Sequence, residues 1–261
     1  MPTHLFLSPH FDDAILSCGG LIAQQTGHGE RVVVATLCAG SPGDGPFSAF
    51  ADFQHARWLV EHPGADPIAL RRSEDEAACA AAGAEPVFLD DLDCIYRRSN
   101  DVWLYASEQA LFGPLHPADD DTALRAALLD LAATLAPDVV YAPLAAGNHV
   151  DHQRVRRIAE AWAAAGQPVS FYEDYPYVEQ VERLWQALNR PLSGRWRRQP
   201  VILTPAEAET KILAISCYSS QMTVLFQDEM RRRVHAQLAC TGAPNLAEAL
   251  WQLQSHSEEQ A

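Results

Sequence analysis

Residues 4–39 read HLFLSPHFDDAILSCGGLIAQQTGHGERVVVATLCA. Two β-rich apolar runs, HLFLS at 4–8 and RVVVATLCA at 31–39, enclose a segment over 13–27 in which Ile15, Leu16, Leu21, Ile22 and Ala23 recur at helical spacing. Strand, helix and strand in this order predict a βαβ unit. The join between the first strand and the helix holds His10, Asp12 and Asp13. Polar residues directly after a buried strand sit at its carboxyl end, where open α/β sheets bind their ligands.

The same alternation continues down the chain. Residues 71–82 predict a helix ending at Gly83, with a strand over 85–90. A helix over 122–135 leads through Pro137 into a strand over 138–144, and a helix over 151–165 stops at Gly166 before a strand over 168–173. Strands alternating with helices predict an α/β fold, a Rossmann-like three-layer αβα sandwich with a mostly parallel sheet. Residues 40–70 read as a long loop carrying one short helix near 52–60. After about residue 174 the pattern weakens, with helices expected over 205–216 and 227–238 and a frayed tail over 255–261. We expect one domain over 1–261, its part after about 174 completing the pocket wall and the outer helices.

A length of 261 residues with 48 % hydrophobic content is ample for a buried core. The formal charge of −15 argues against nucleic-acid or anionic-membrane partners, which an acidic surface repels. Arg195, Arg197 and Arg198, between Pro191 and Pro200, read as a solvated loop or a local anion contact. The six cysteines form no CxxC pair and read as buried thiols. The first residues lack a signal-peptide pattern and no apolar stretch approaches membrane-spanning length, so a cytoplasmic protein is expected. No GxSxG serine-hydrolase elbow and no dinucleotide-binding glycine spacing occur.

One carboxylate suffices to cap a helix start, so the Asp12–Asp13 pair leaves one over. AGNHVDHQRV at 146–155 repeats the arrangement, following an apolar strand and holding His149, Asp151 and His152 where a helix begins. Two parallel strands ending at one sheet edge would bring the clusters together. Histidine and carboxylate sets suit zinc, and a catalytic zinc takes three protein ligands with one position open. His10, one of the aspartates and one of the late histidines meet that count. Capping alone explains either motif by itself; both at strand ends favours a metal.

At these residues the chain resembles the PIG-L/LmbE family of zinc-dependent N-acetyl-sugar deacetylases. SPHFDDAILSCGG carries the family's HPDD motif with Phe11 in place of proline, and HVDHQRV carries its HxDH motif. RRSE at 71–74 and KILAISCYSSQ at 211–221 echo its RxxE and late K…YxSQ segments. The likeness spans about residues 4–221 and implies an LmbE-like fold with one Zn2+ per chain, other divalent metals being compatible. It implies ligation by His10, Asp13 and His152, with Asp12 unligated as general base. His149 is implied to stabilise the developing oxyanion, most usefully as an imidazolium, with Asp151 orienting and charging it. Arg71 and Asp93 are implied substrate contacts; their rival readings are a surface arginine paired with Glu74 or Asp75 and a loop-turn aspartate.

The implied activity is hydrolysis of the acetyl group from an N-acetylglucosamine-type sugar or glycoconjugate, a small-molecule substrate. A deacylase of another amide or ester in natural-product tailoring, and a sugar-binding module without turnover, are the competing readings.

Overall fold

The computed structural model describes residues 1–189 and 195–254; the expected frayed tail, 255–261, lies outside them. The opening stretch forms β1 (Thr3–Ser8), α1 (Asp13–Gly27) and β2 (Arg31–Thr36). There follow α2 (Ala49–Trp58), α3 (Pro67–Ala82), β3 (Glu85–Phe88), the short pair β4 (Arg98–Ser99) and β5 (Val102–Trp103), and α4 (Glu108–Leu111). Then come α5 (Thr122–Leu135), β6 (Val139–Pro143), α6 (Val150–Ala164), β7 (Val169–Tyr172) and α7 (Val181–Leu188). β8 (Arg195–Leu203), α8 (Pro205–Ile215), α9 (Ser219–Gln221), a π-helical turn (Met222–Phe226), α10 (Met230–Gly242) and β9 (Leu246–Gln254) close the described chain.

The main sheet has seven strands in the order β3-β2-β1-β6-β7-β9-β8. β1, β2, β3, β6 and β7 run parallel, while β9 is antiparallel to both its neighbours. β1 pairs with β2 on one side, Leu5 opposite Val33, and with β6 on the other, Leu5 opposite Val140. The chain leaves β1 towards β2 but leaves β6 towards β7, so the two connections diverge. A crevice opens between them at the strands' carboxyl ends. α1, α3 and α8 pack together on one face, and α6 packs against β6 and β7. With crossovers of the usual hand, the reversed direction from β6 puts α6 on the opposite face. The fold is thus an α/β sandwich with a mostly parallel central sheet.

The predicted helices and parallel strands appear within a few residues of their expected bounds, α3 excepted. It starts at Pro67 rather than 71, because Asp66 caps it by accepting the Ala69 N–H at 2.7 Å and proline suits a first helical position. The last two strands, β8 and β9, were not anticipated. LAEALWQLQ is built from good helix formers, yet pairing with β7 and β8 makes it a strand. The arginine run expected as a solvated loop lies in β8, which ends the sheet order and therefore tolerates Pro200.

The paired glycines of the opening motif also have a packing reason. A Cβ at Gly20 would lie 2.3 Å from Leu203 Cδ1, and one at Gly19 would lie 3.0 Å from Lys211 Cγ. The space admits a buried ion pair, Lys211 Nζ to Glu248 Oε1 at 2.6 Å. Glu248 also accepts the N–H groups of Gly20 and Leu21, and Lys211 donates to the Ser17 carbonyl. β9 and α8 are thereby pinned to the helix whose start carries Asp12 and Asp13.

A second apolar cluster, containing Phe11, Trp58, Ile68, Ile95, Tyr96, Leu111 and Val150, joins the loops above the sheet's carboxyl edge. No helix among the described residues is long and apolar enough to cross a membrane.

Candidate active site

His10, Asp12 and Asp13 follow β1, and His149, Asp151 and His152 open α6 just after β6. All six are buried and lie together in the crevice between the strands. Asp12 occupies the helix N-cap position, yet its side chain makes no capping bond and faces the cavity instead. Asp13 turns back, its Oδ2 accepting the His10 backbone N–H at 2.8 Å.

Both candidate ligand histidines are held from behind by a carboxylate. His10 Nε2 lies 3.0 Å from Asp151 Oδ2, and His152 Nδ1 lies 2.7 Å from Asp174 Oδ1. Each histidine then turns its other ring nitrogen to Asp13 Oδ2, His10 Nδ1 at 3.1 Å and His152 Nε2 at 3.3 Å. A carboxylate behind a histidine fixes ring and tautomer, as is usual for metal-ligating imidazoles.

Three observations bear on whether these residues fit a metal. His152 Nε2 is buried without a hydrogen-bond partner. His10, His149 and His152 offer donor atoms within 4.8 Å of one another, and Asp13 adds an oxygen against two of them. The other close groupings, His10 with Cys38 and Asp151 and Cys94 with His149 and Asp151, each need a thiol. Burial pushes both thiols well above their ordinary value, and Asp151 is already engaged by Arg97 at 2.5 Å. Two imidazoles and a carboxylate fit a divalent ion.

The electrostatics separate the groups. Burial lowers the affinity of His10 and His152 for protons, but their aspartate partners override it, leaving His10 well above the ordinary value and His152 pushed up to about 9. Burial raises Asp13, but the adjacent His152 and His10 hold it well below the carboxylate range. For Asp12, burial prevails over the opposing charge of Arg71 and the carboxyl is raised.

His149 departs from expectation. Burial and the neighbouring His10 charge push it well below the ordinary histidine value, which opposes the imidazolium form. Its Nδ1 accepts the Asp151 backbone N–H at 3.2 Å, which also makes it the cap of α6 and leaves the proton on Nε2. The Asp151 carboxylate does not serve His149. It accepts from the Cys94 N–H at 3.1 Å and pairs with His10 and Arg97, whose charge keeps it ionised against the effect of burial.

Arg71 and Asp93 line the same cavity. Arg71 is not a surface arginine. Its guanidinium lies over the Trp58 ring at 4.6 Å and the Phe11 ring at 5.6 Å, with Nη2 3.5 Å from Asp12 Oδ1. Phe11, in the place of the family's proline, thus supports Arg71 from the apolar side. Glu74 and Asp75 bind elsewhere. Glu74 accepts from Ser219 Oγ, Ser220 N and Ser220 Oγ, and Asp75 from Tyr218 and Thr36, which ties the RRSE and YSSQ segments together. Asp93 caps a short turn through the Ile95 N–H, as its loop-turn reading expects, and lies 3.8 Å from His10 Nε2.

Asp174 and Arg97 were missed. Asp174 follows β7 as His10 follows β1, so the strand-end rule was the available signal; a lone aspartate without a neighbouring histidine did not raise it. Arg97 had no such signal, since only folding brings it to Asp151. Gly147, at φ 89°, passes so close to the Tyr177 ring that a Cβ would lie 2.6 Å away, which explains a glycine at this position.

Among curated proteins, 2′-N-acetylparomamine deacetylase of Niallia circulans is 28 % identical over 252 residues, covering 88 % of this chain and 85 % of that protein. The protein of the same name from Streptomyces fradiae is 32 % identical over 183 residues, covering 67 % of this chain and 58 % of the relative. Among solved structures, the zinc-inhibited form of teicoplanin deacetylase superposes with a TM-score of 0.80 at 28 % identity, covering 97 % of this chain and 99 % of the other. The family profile described as PIG-L, GlcNAc-PI de-N-acetylase, matches residues 5–163, which takes in both histidine motifs and more than half of the sequence, and the chain belongs to that family.

Proposed function

We propose that this PIG-L protein is a metal-dependent hydrolase that removes the acetyl group from an N-acetylated amino sugar within a glycoconjugate or antibiotic precursor. The observation that carries the reading is the convergence of His10 Nδ1 and His152 Nε2 on Asp13 Oδ2, beside an Asp12 carboxylate that caps nothing. The relatives named for paromamine and teicoplanin deacetylation support an acetylated sugar as substrate. We infer zinc as the ion, one per chain, held by His10, Asp13 and His152. Bound there, it supplies a Lewis acid that acidifies water and draws electron density from the acetyl carbonyl.

The chain's own groups carry the protons. Asp12, raised by burial, accepts a proton from the attacking water and returns it to the departing amine, which leaves acetate and a free amino group. His149 donates its Nε2–H to the carbonyl oxygen as charge develops there, and as a neutral donor it needs no proton from solution. Asp151 and Asp174 position His10 and His152. Arg71 and Asp93 offer hydrogen bonds to the sugar from the cavity wall. We take the stretch after about residue 174 to belong to the same unit, since Tyr177, Gln221, Val224 and Leu225 line that cavity.

The test is acetate release from a panel of N-acetylated amino-sugar conjugates by metal-reconstituted protein, beside Asp12→Asn and His152→Ala. Asp12→Asn is expected to keep its metal and lose about 10²–10⁴-fold in rate. His152→Ala is expected to lose the metal as well. Full activity in Asp12→Asn would overturn the assigned base; no release from any conjugate by metal-bound protein would point to another acyl group or to binding alone.

A further inference from the structure

The cavity above the candidate metal site encloses about 1070 Å³, part of it open to solvent, and it is chemically divided. Its depth is buried and gathers the polar His10, Asp12, Asp13, Arg71, Asp93 and His149 beside apolar side chains such as Leu16 and Ile95. Its mouth is apolar and half exposed: Phe50 and Phe53 from α2, Phe112 at the end of α4, and Val224 and Leu225 from the π-helical turn. Phe53 is 56 % exposed and so adds little to the core.

The polar residues at the mouth offer little to a hydrated, multiply charged ligand. Arg57 Nη1 donates to Gln54 Oε1 at 3.0 Å while its guanidinium lies 5.6 Å from the Phe53 ring. Glu108 is the one exposed carboxylate of the cavity among the described residues, Asp12, Asp13 and Asp93 being buried.

The mouth is also built at some backbone cost. The π-helical turn is followed by Gln227 and Asp228, both left-handed at φ 49° and 67°. Such a turn is uncommon and tends to occur at functional sites. The Glu74 bonds to Ser219 and Ser220 anchor the segment just before it on α3, and from that anchor Val224 and Leu225 reach the cavity.

We propose that the N-acetylated sugar is joined to a flat aromatic aglycone, which packs against Phe50, Phe53, Phe112, Val224 and Leu225 while the acetamido group enters the polar depth. This rests on the deacetylase reading and specifies its substrate class. Aromatic ligands gain from ring-to-ring contact beyond the area they bury, so flat aromatic groups are preferred here over alkyl chains of similar size.

The experiment compares methyl, octyl and naphthyl N-acetylglucosaminides as substrates of metal-reconstituted full-length protein. It also measures their binding to metal-loaded Asp12→Asn protein by calorimetry. The naphthyl compound is expected to exceed the methyl one about tenfold in kcat/KM and in affinity, chiefly through KM. Phe53→Ala should bring the naphthyl-to-methyl ratio towards one, and Phe53→Tyr should keep it. Equal affinity for the three compounds, an octyl gain matching the naphthyl gain, or a ratio indifferent to Phe53→Ala would each overturn the proposal. Preferential naphthyl binding without acetate release from any substrate would leave the aromatic subsite standing and remove the deacetylase reading instead.

Discussion

At the scale of the residue, the site works by giving similar groups unlike neighbours. Asp12 and Asp13 are adjacent in the chain, yet Asp13 is claimed by two imidazoles and Asp12 by one arginine, so the effect of burial prevails at Asp12 and is overridden at Asp13. His10 and His152 each have an aspartate behind them, while His149 has a backbone amide. Asp174→Asn is therefore expected to weaken metal binding about 10–100-fold without touching the ion, as measured by chelator competition. Unchanged affinity would deny Asp174 its role. Phe11→Leu keeps most of the apolar volume but removes one ring from Arg71, and should slow acetate release about two- to fivefold. The six strand-end residues were legible from their chemistry and spacing. Asp151's true partner was not, because sequence proximity to His149 suggested a contact that the start of α6 does not make through the carboxylate.

At the scale of the element, α1 sets the positions of Asp12 and Asp13, and a buried ion pair holds it at its middle. Lys211 and Glu248 bond to Ser17, Gly20 and Leu21 inside the protein, and both side chains are almost wholly buried. Lys211→Met leaves Glu248 charged and buried with no cation, and is expected to cost about 3–5 kcal/mol in urea unfolding. Gly20→Ala forces a methyl against Leu203 and should cost about 1–3 kcal/mol. Losses below about 0.5 kcal/mol in both would show that α1 does not depend on this contact. The helices and parallel strands could be read from periodicity because their patterns are local. β9 could not, since nine residues of helix-forming composition become a strand only by pairing on both edges.

At the scale of the whole molecule, two layers of interaction meet above the sheet: the main core beneath and the smaller cluster around Phe11 and Trp58 that binds the loops. Asp75 lies within this arrangement, bonded at 2.6 Å by both Thr36 and Tyr218, and burial raises its carboxyl to about 7. In the unfolded chain the same group releases its proton near pH 4. Between those values the folded state holds the extra proton, so this contribution to stability is full below about pH 4 and is lost as pH rises to about 7. The loss is at most about 4 kcal/mol. Asp75→Asn should therefore gain stability relative to the unmodified protein as pH rises from 4 to 7, followed by denaturant unfolding across that range. A constant difference between the two would refute the shift.

By itself the sequence determined the alternating α/β architecture, the sheet edge on which the site lies, and the residues that meet there. These follow from short-range periodicity and from polar clusters placed directly after apolar strands, both of which are written in consecutive residues. Tertiary structure alone decided which carboxylate supports which histidine, that Arg71 is clamped between Trp58 and Phe11, and that the last strands complete the sheet. Each of these depends on contacts between segments far apart in the chain. Their energies come from burial and pairing, which no local pattern of residue types encodes.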